Sequence, residues 1–169
     1  MTEKQNMILS AIQIDQRIVR MAYEIYENHI KEKHLILAGI ADNGYSFANK
    51  VSEQLTAISS IETTIVKIDI NKDEPFVKDI EISLSAKDLN KKSVILFDDV
   101  LNSGKTAAFA LKAFLHVNIK KIEVAVMVNR SHKAFPIYPK YKGYELATTI
   151  NEHVEVKLKG KEKGVYLFD

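Results

Sequence analysis

The feature that most restricts this chain is a set of short apolar runs separated by stretches with helical spacing. Leu35 to Ile40 carries no polar side chain and stops at Ala41-Asp42-Asn43-Gly44. Such a run suits a strand buried on both faces. Thr63 to Ile70 is rich in β-branched residues and reads as a second strand, and Ser93 to Phe97 and Ile122 to Val128 as two more. Between them the period changes. From Asp15, a plausible cap, Ile18, Met21, Ala22, Ile25 and Tyr26 recur at three-to-four spacing as far as Asn28. Phe47, Ala48, Val51 and Leu55 form a second stripe, and Ala107, Ala110, Leu111 and Phe114 a third within Thr106 to His116. This alternation predicts an α/β fold, a central parallel sheet with helices on both faces. In such a fold ligands bind at the carboxyl ends of the strands.

Beyond Asn129 the pattern changes. Tyr and Pro cluster between Ala134 and Tyr144, and His153 to Leu158 and Val165 to Phe168 alternate as half-buried strands do. A small antiparallel C-terminal hood from about residue 129 is expected. Glycines and prolines are scattered singly, so no linker divides residues 1–169 and one domain is expected. With 46% hydrophobic residues a chain of this length can bury a sizeable core, which excludes extended disorder. The 24 basic residues against 22 acidic ones leave a net charge of +2, too little for blanket neutralisation of nucleic acid. With no cysteine there is no disulfide, thiolate nucleophile or cysteine-held metal, which suits a reducing compartment, so the cytoplasm is expected. The longest uncharged stretch near the start, Gln5 to Ile14, is too short to span a bilayer, so no membrane partner is expected.

The chemistry is concentrated in Val94-Ile95-Leu96-Phe97-Asp98-Asp99-Val100-Leu101-Asn102-Ser103-Gly104-Lys105-Thr106. Two adjacent carboxylates at a strand end repel each other and require a cationic or hydroxyl-rich partner. Asn102, Ser103, Gly104, Lys105 and Thr106 can wrap an anion with backbone N–H groups and hydroxyls. Acids for hydroxyls beside amides for phosphate suit a sugar phosphate. A nucleotide-binding P-loop is excluded, because its pattern requires glycine at position 99. A phosphoacceptor receiver pocket would place its acid pair after an early strand rather than past the middle of the chain.

This segment resembles the phosphoribosyl pyrophosphate (PRPP) motif of the type I phosphoribosyltransferases. The resemblance extends to the pyrimidine-operon attenuation regulators that double as uracil phosphoribosyltransferases. It is carried by Ile18-Val19-Arg20-Met21-Ala22-Tyr23-Glu24-Ile25, Ile36-Leu37-Ala38-Gly39-Ile40, Lys67-Ile68-Asp69-Ile70, Asp73-Glu74-Pro75-Phe76-Val77-Lys78 and Asn129-Arg130-Ser131-His132-Lys133-Ala134-Phe135-Pro136-Ile137. It implies that Asp98 and Asp99 hold the ribose hydroxyls and Asn102 to Thr106 the 5′-phosphate. Magnesium would arrive with PRPP near the acid pair rather than in a protein-only site. The implied activity is transfer of a ribosyl 5-phosphate to a pyrimidine base, uracil to uridine monophosphate (UMP). Nucleotide-sensing regulation through RNA is the alternative, and a homo-oligomer, dimer or larger, is expected.

Three departures from the resemblance stand out. The pyrophosphate turn, typically Lys-Thr-Arg-Gly, is Ala41, Asp42, Asn43 and Gly44, which sets an acid beside a polyanion. The long loop that closes over PRPP is reduced to Asn71 and Lys72. In Tyr141-Lys142-Gly143-Tyr144, Lys142 replaces an aliphatic residue that faces the base. Arg130, His132 and Lys142 are the base-side candidates. Arg17, Arg20, Arg130, Lys133, Lys140 and Lys142, with nearby tyrosines, could instead face RNA or simply be solvated. The remaining histidines, His29, His34, His116 and His153, lack further ligands at zinc spacing. Lys157, Lys159, Lys161 and Lys163 read as a solvated turn between two terminal strands.

Overall fold

A computed structural model describes residues 5–147, 149 and 152–168. In chain order the elements are β1 (Gln5–Ser10), α1 (Ala11–Asn28), β2 (His34–Ile40), α2 (Ala41–Ile58), β3 (Glu62–Ile68), α3 (Ala86–Leu89) and β4 (Ser93–Leu101). Then follow α4 (Lys105–Ala110), α5 (Lys112–Leu115), β5 (Lys121–Arg130), β6 (Tyr141–Leu146), β7 (His153–Lys157) and β8 (Gly164–Phe168). A five-stranded sheet runs β3-β2-β4-β5-β6, with every neighbouring pair parallel. The expected α/β architecture is present. Ile14, Ile18, Met21 and Ile25 of α1 and Phe47, Val51 and Leu55 of α2 are buried with Leu35, Leu37, Ile95 and Phe97 on one side. Ala107, Ala110 and Phe114 are buried with Ile36, Ala38, Val94, Leu96 and Val126 on the other.

Successive strand residues point to opposite faces, so each central strand feeds two cores, and this is why these runs lack polar positions. The chain leaves β2 through α2 toward β3 on one side, then returns to place β4 on the other. The order therefore reverses between the carboxyl ends of β2 and β4, where open α/β sheets form their ligand crevice.

Several boundaries differ from expectation. Ser10, not Asp15, caps α1: its hydroxyl accepts from the Gln13 N–H while the Gln13 side chain accepts from the Ser10 N–H. Gln5–Ser10 is itself a strand, paired antiparallel with β8. The Thr106 to His116 helix is two short pieces, α4 and α5, joined at Leu111. The hood expected from residue 129 is divided: β6 pairs parallel with β5 as the fifth core strand, while β7 and β8 pair antiparallel and join β1 in a three-stranded sheet. Tyr141 explains this. It is 1% exposed in the core, and its neighbour Gly143 fits against Met127, whose carbonyl oxygen would lie 2.6 Å from an added Cβ. No helix among the described residues is long and apolar enough to cross a membrane.

Two glycines let the first turn of α2 sit against the sheet. A Cβ on Gly39 would lie 2.3 Å from the Tyr45 backbone, and one on Gly44 would lie 2.4 Å from the Phe97 carbonyl oxygen. Neither obstacle can rotate away. Alanine in place of glycine inside an open helix stabilises by ~1 kcal/mol. Gly44→Ala should instead cost about 1–3 kcal/mol through overpacking. Urea unfolding checks this; an unchanged or raised midpoint would show that the approach of α2 to β4 is not required.

Candidate functional site

The site begins with β4, which continues past its apolar run through Asp98, Asp99, Val100 and Leu101. The acid pair thus lies on the strand, at the end that opens on the crevice. Asp98 is in register with Val126 of β5, and its side chain is 4% exposed; that of Asp99 is 13% exposed. Phe97, immediately before them, is locked edge-on against Phe47 of α2 at 5.2 Å. Two carboxylates so placed need a cation, and the structure supplies one. Lys72 Nζ donates to Asp98 Oδ1 at 2.9 Å and to Asp99 Oδ1 at 3.0 Å. Asn43 donates from Nδ2 to Asp99 Oδ2 at 2.8 Å and to the Val156 carbonyl at 3.3 Å, joining α2, β4 and β7.

These surroundings split the two acids. Burial, and then the charge of Asp99, push Asp98 up to about 7 despite Lys72. Burial also opposes ionisation of Asp99, but hydrogen bonding with Asp98, the Lys72 charge and Asn43 hold it below the usual carboxylate range. For Lys72 the cost of burial is outweighed by the two carboxylates, which raise it. Burial thus favours the neutral form of Asp98, while hydrogen bonds and the Lys72 charge favour the charged form of Asp99.

Asn102 to Thr106 lead from β4 into α4, and with Lys72, the acid pair and His153 they line a cleft of about 400 Å³. Gly104 adopts φ 84°, the left-handed conformation that turns the chain into α4. The loop is held from behind. The Ser103 carbonyl accepts from the N–H groups of Ala134 and Phe135, and Arg130 donates to Asn102 Oδ1 at 3.0 Å. Lys133 donates to the carbonyls of Leu101, Asn102 and Arg130. The Ser103 hydroxyl accepts from the Lys105 N–H at 3.3 Å, so the loop closes on itself at the start of α4, and Ser103 and Thr106 line the cleft. The α4 piece is only six residues long, so loop amides matter more here than a helix dipole.

The other candidates are distributed differently. Ala41 to Gly44 form the first turn of α2, with Ala41 strained at φ 52°. The Asp42 side chain is 94% exposed and paired at 2.9 Å with Lys67, a lysine it shares with Asp69 at 3.0 Å. Asn43 and Gly44 support the acid pair and β4 instead. Arg130 is buried, donating to the carbonyls of Thr149 and Glu152 as well as to Asn102, which ties the chain entering β7 to the loop. His132 is exposed. Lys142 shares the register level of Asp98 through Val126, about 10 Å away by the strand spacing, and pairs with Glu145 at 3.1 Å. The basic residues weighed for RNA are engaged within the chain. Arg20 donates to the Lys142 and Gly143 carbonyls, Arg17 stacks on Tyr144, and Lys140 pairs with Glu123.

Sequence reasoning missed Lys72 and His153. Lys72 stands in the irregular segment between β3 and α3, and nothing in its local sequence marks it as the partner of an acid pair 26 residues away. His153 was weighed only as a metal ligand; the hood strand β7 brings it into the cleft.

One stability consequence follows from the raised Asp98 group. A carboxyl whose folded-state pKa exceeds its unfolded value binds more protons when folded, so its contribution to stability falls as pH rises from about 4 to 7. Asp98→Asn removes this dependence. The melting temperature of the variant relative to the parent should climb by several degrees between pH 4 and pH 8. A constant difference across that range would show that Asp98 titrates as an ordinary acid.

The comparisons agree with this geometry. Residues 4–161 match the phosphoribosyl transferase domain. The chain is 29% identical to a bifunctional protein PyrR of Clostridium beijerinckii, covering 98% of each chain, and 29% identical to one of Streptococcus pneumoniae, covering 92% of this chain and 91% of that one. A hypoxanthine-guanine phosphoribosyltransferase of Bacillus anthracis superposes with a TM-score of 0.76 at 17% identity, over 99% of this chain and 98% of that one. A hypoxanthine phosphoribosyltransferase of Staphylococcus aureus does so with 0.70 at 15%, over 86% and 80%. A strand-end acid pair followed by an anion-wrapping loop, on this sheet order and across nearly the whole chain, makes the protein a member of the type I phosphoribosyltransferase family.

Proposed function

We propose that the cleft binds a ribose 5-phosphate ester, with the hydroxyls on Asp98 and Asp99 and the 5′-phosphate in Asn102 to Thr106, and that the protein acts as a uracil-type phosphoribosyltransferase. The observation that carries this is the juxtaposition, in one cleft, of a carboxylate pair with an amide- and hydroxyl-lined loop. In the reaction the bond from C1′ to the diphosphate oxygen breaks and a bond from the pyrimidine nitrogen to C1′ forms. The electron pair leaves with diphosphate, and the nitrogen proton passes to solvent. Positioning the sugar from both ends aligns C1′ for this exchange. Pyrimidine preference rests on the resemblance to the pyrimidine-operon attenuation regulators, the structural neighbours being purine enzymes.

The magnesium expected with PRPP does not fit at the acid pair. Three of the four carboxylate oxygens are engaged by Lys72 and Asn43. Lys72 on the acids also favours a second reading, nucleotide sensing with little turnover. We place the protein in the cytoplasm.

Calorimetric titration with UMP should show binding. Asp98→Asn combined with Asp99→Asn should weaken it by at least about 100-fold, since each lost charge-assisted hydrogen bond is worth ~1.5–3 kcal/mol, while circular dichroism stays native. Retention of parental affinity would remove the acids from the ribose site. Uracil conversion well below ~10 s⁻¹ would separate sensing from catalysis.

A homo-oligomer belongs to the same proposal. Ile12, Val19 and Tyr23 of α1 are exposed at spacings of seven and four, which aligns them on one stripe of the helix. Light scattering should find a dimer or larger particle, reduced to monomer by Ile12→Lys with Tyr23→Lys. A monomeric parent would refute the assembly.

A further inference from the structure

We propose that Lys72 is a tethered counter-ion that takes the place of a divalent cation beneath the ribose, so that the cleft binds a nucleoside monophosphate without metal. This rests on the reading of the cleft as a ribose phosphate site and adds to it the source of positive charge.

Lys72 is not a wandering surface lysine. Its backbone lies in the irregular segment between β3 and α3, where the Asn71 side chain accepts from the N–H groups of Asp73 and Glu74, closing a local turn beside it. The following segment is docked on α4. Phe76 packs 6.3 Å from Phe109, and Lys105 Nζ lies 5.3 Å above the Phe76 ring. The ammonium is thereby delivered to both acids at once, at 2.9 and 3.0 Å. An ammonium has three N–H donors, and two are used. The Lys72 side chain is 40% exposed where it lines the cleft, so the third donor can meet a ligand oxygen.

The electrostatic argument is one of occupancy. A metal ion would have to displace Lys72 from Asp98 and Asp99, and would leave the ammonium beside a second cation. Asp98 Oδ2, which neither Lys72 nor Asn43 engages, is left to accept from a ribose hydroxyl while Lys72 remains in place. A monophosphate ester has its anion in the loop and its hydroxyls at the acids, and needs no further cation. A ligand that brings its own magnesium meets a site whose positive charge is already built in.

The test is titration of UMP in excess EDTA and in magnesium, on the parent and on Lys72→Met, with melting curves to confirm folding. The parent should bind equally, within about twofold, in both buffers. Lys72→Met should lose about 10–100-fold in EDTA, the worth of one charge-assisted hydrogen bond, and regain part of that with magnesium. Lys72→Arg should bind in EDTA better than Lys72→Met. A tenfold or greater loss by the parent in EDTA, or parental affinity of Lys72→Met in EDTA, would overturn the inference and leave the ribose phosphate assignment intact. Absence of UMP binding in both buffers would overturn both.

Discussion

The organisation of this molecule depends on keeping two neighbouring carboxylates at the end of a buried strand. Taking one such charge out of water is costly, and two adjacent ones cannot both remain ionised without compensation. The fold answers on three sides. A lysine comes from the segment after β3, an amide from the first turn of α2, and burial favours the neutral form of the deeper acid. Gly39 and Gly44 serve the same end, since only without a Cβ can α2 come close enough to bring Asn43 onto Asp99. The phenylalanine pair beneath fixes the strand that carries the acids.

The phosphate loop is organised by the opposite device, cations applied to its rear. Lys133 and Arg130 draw together the carbonyls of Leu101 and Asn102 and the Asn102 side chain. Arg130 also grips the Thr149 and Glu152 carbonyls, so the loop and the approach to β7 share one anchor. Side chains that read in sequence as a basic, ligand-facing group thus act mainly as internal fasteners.

What was legible in the sequence follows from the range of the forces involved. The sheet strands and amphipathic helices could be read because burial on two faces, or on one stripe, leaves a local period. The acid pair and loop could be read because their chemistry is contiguous along the chain. Ser10 as a cap was missed because Gln5–Ser10 gains its identity as a strand only from β8, more than 150 residues away. Tyr141–Leu146 was assigned to the hood for a similar reason: its aromatic and glycine content looks irregular until Met127 and the β5 edge are set beside it. Asp42 looked repulsive because Lys67, its partner across the β3 end, is distant in sequence. Lys72 escaped notice because a missing loop draws attention to what is lost rather than to the residue left behind.

The three-stranded sheet joins residues near both ends of the chain, with Gln5 beside Phe168 and His153 beside Phe168 in turn. Closing so long a loop is entropically demanding, and such pairings form late in folding relative to the local βα units. During synthesis the parallel core and the acid pair can assemble on the ribosome before β8 has emerged. His153 and the Val156 carbonyl that receives Asn43 settle only when the last strand arrives. A nascent chain would therefore carry the loop from Asn102 to Thr106 before it has a finished cleft, and whatever stabilises the closed cleft favours the late sheet by mass action.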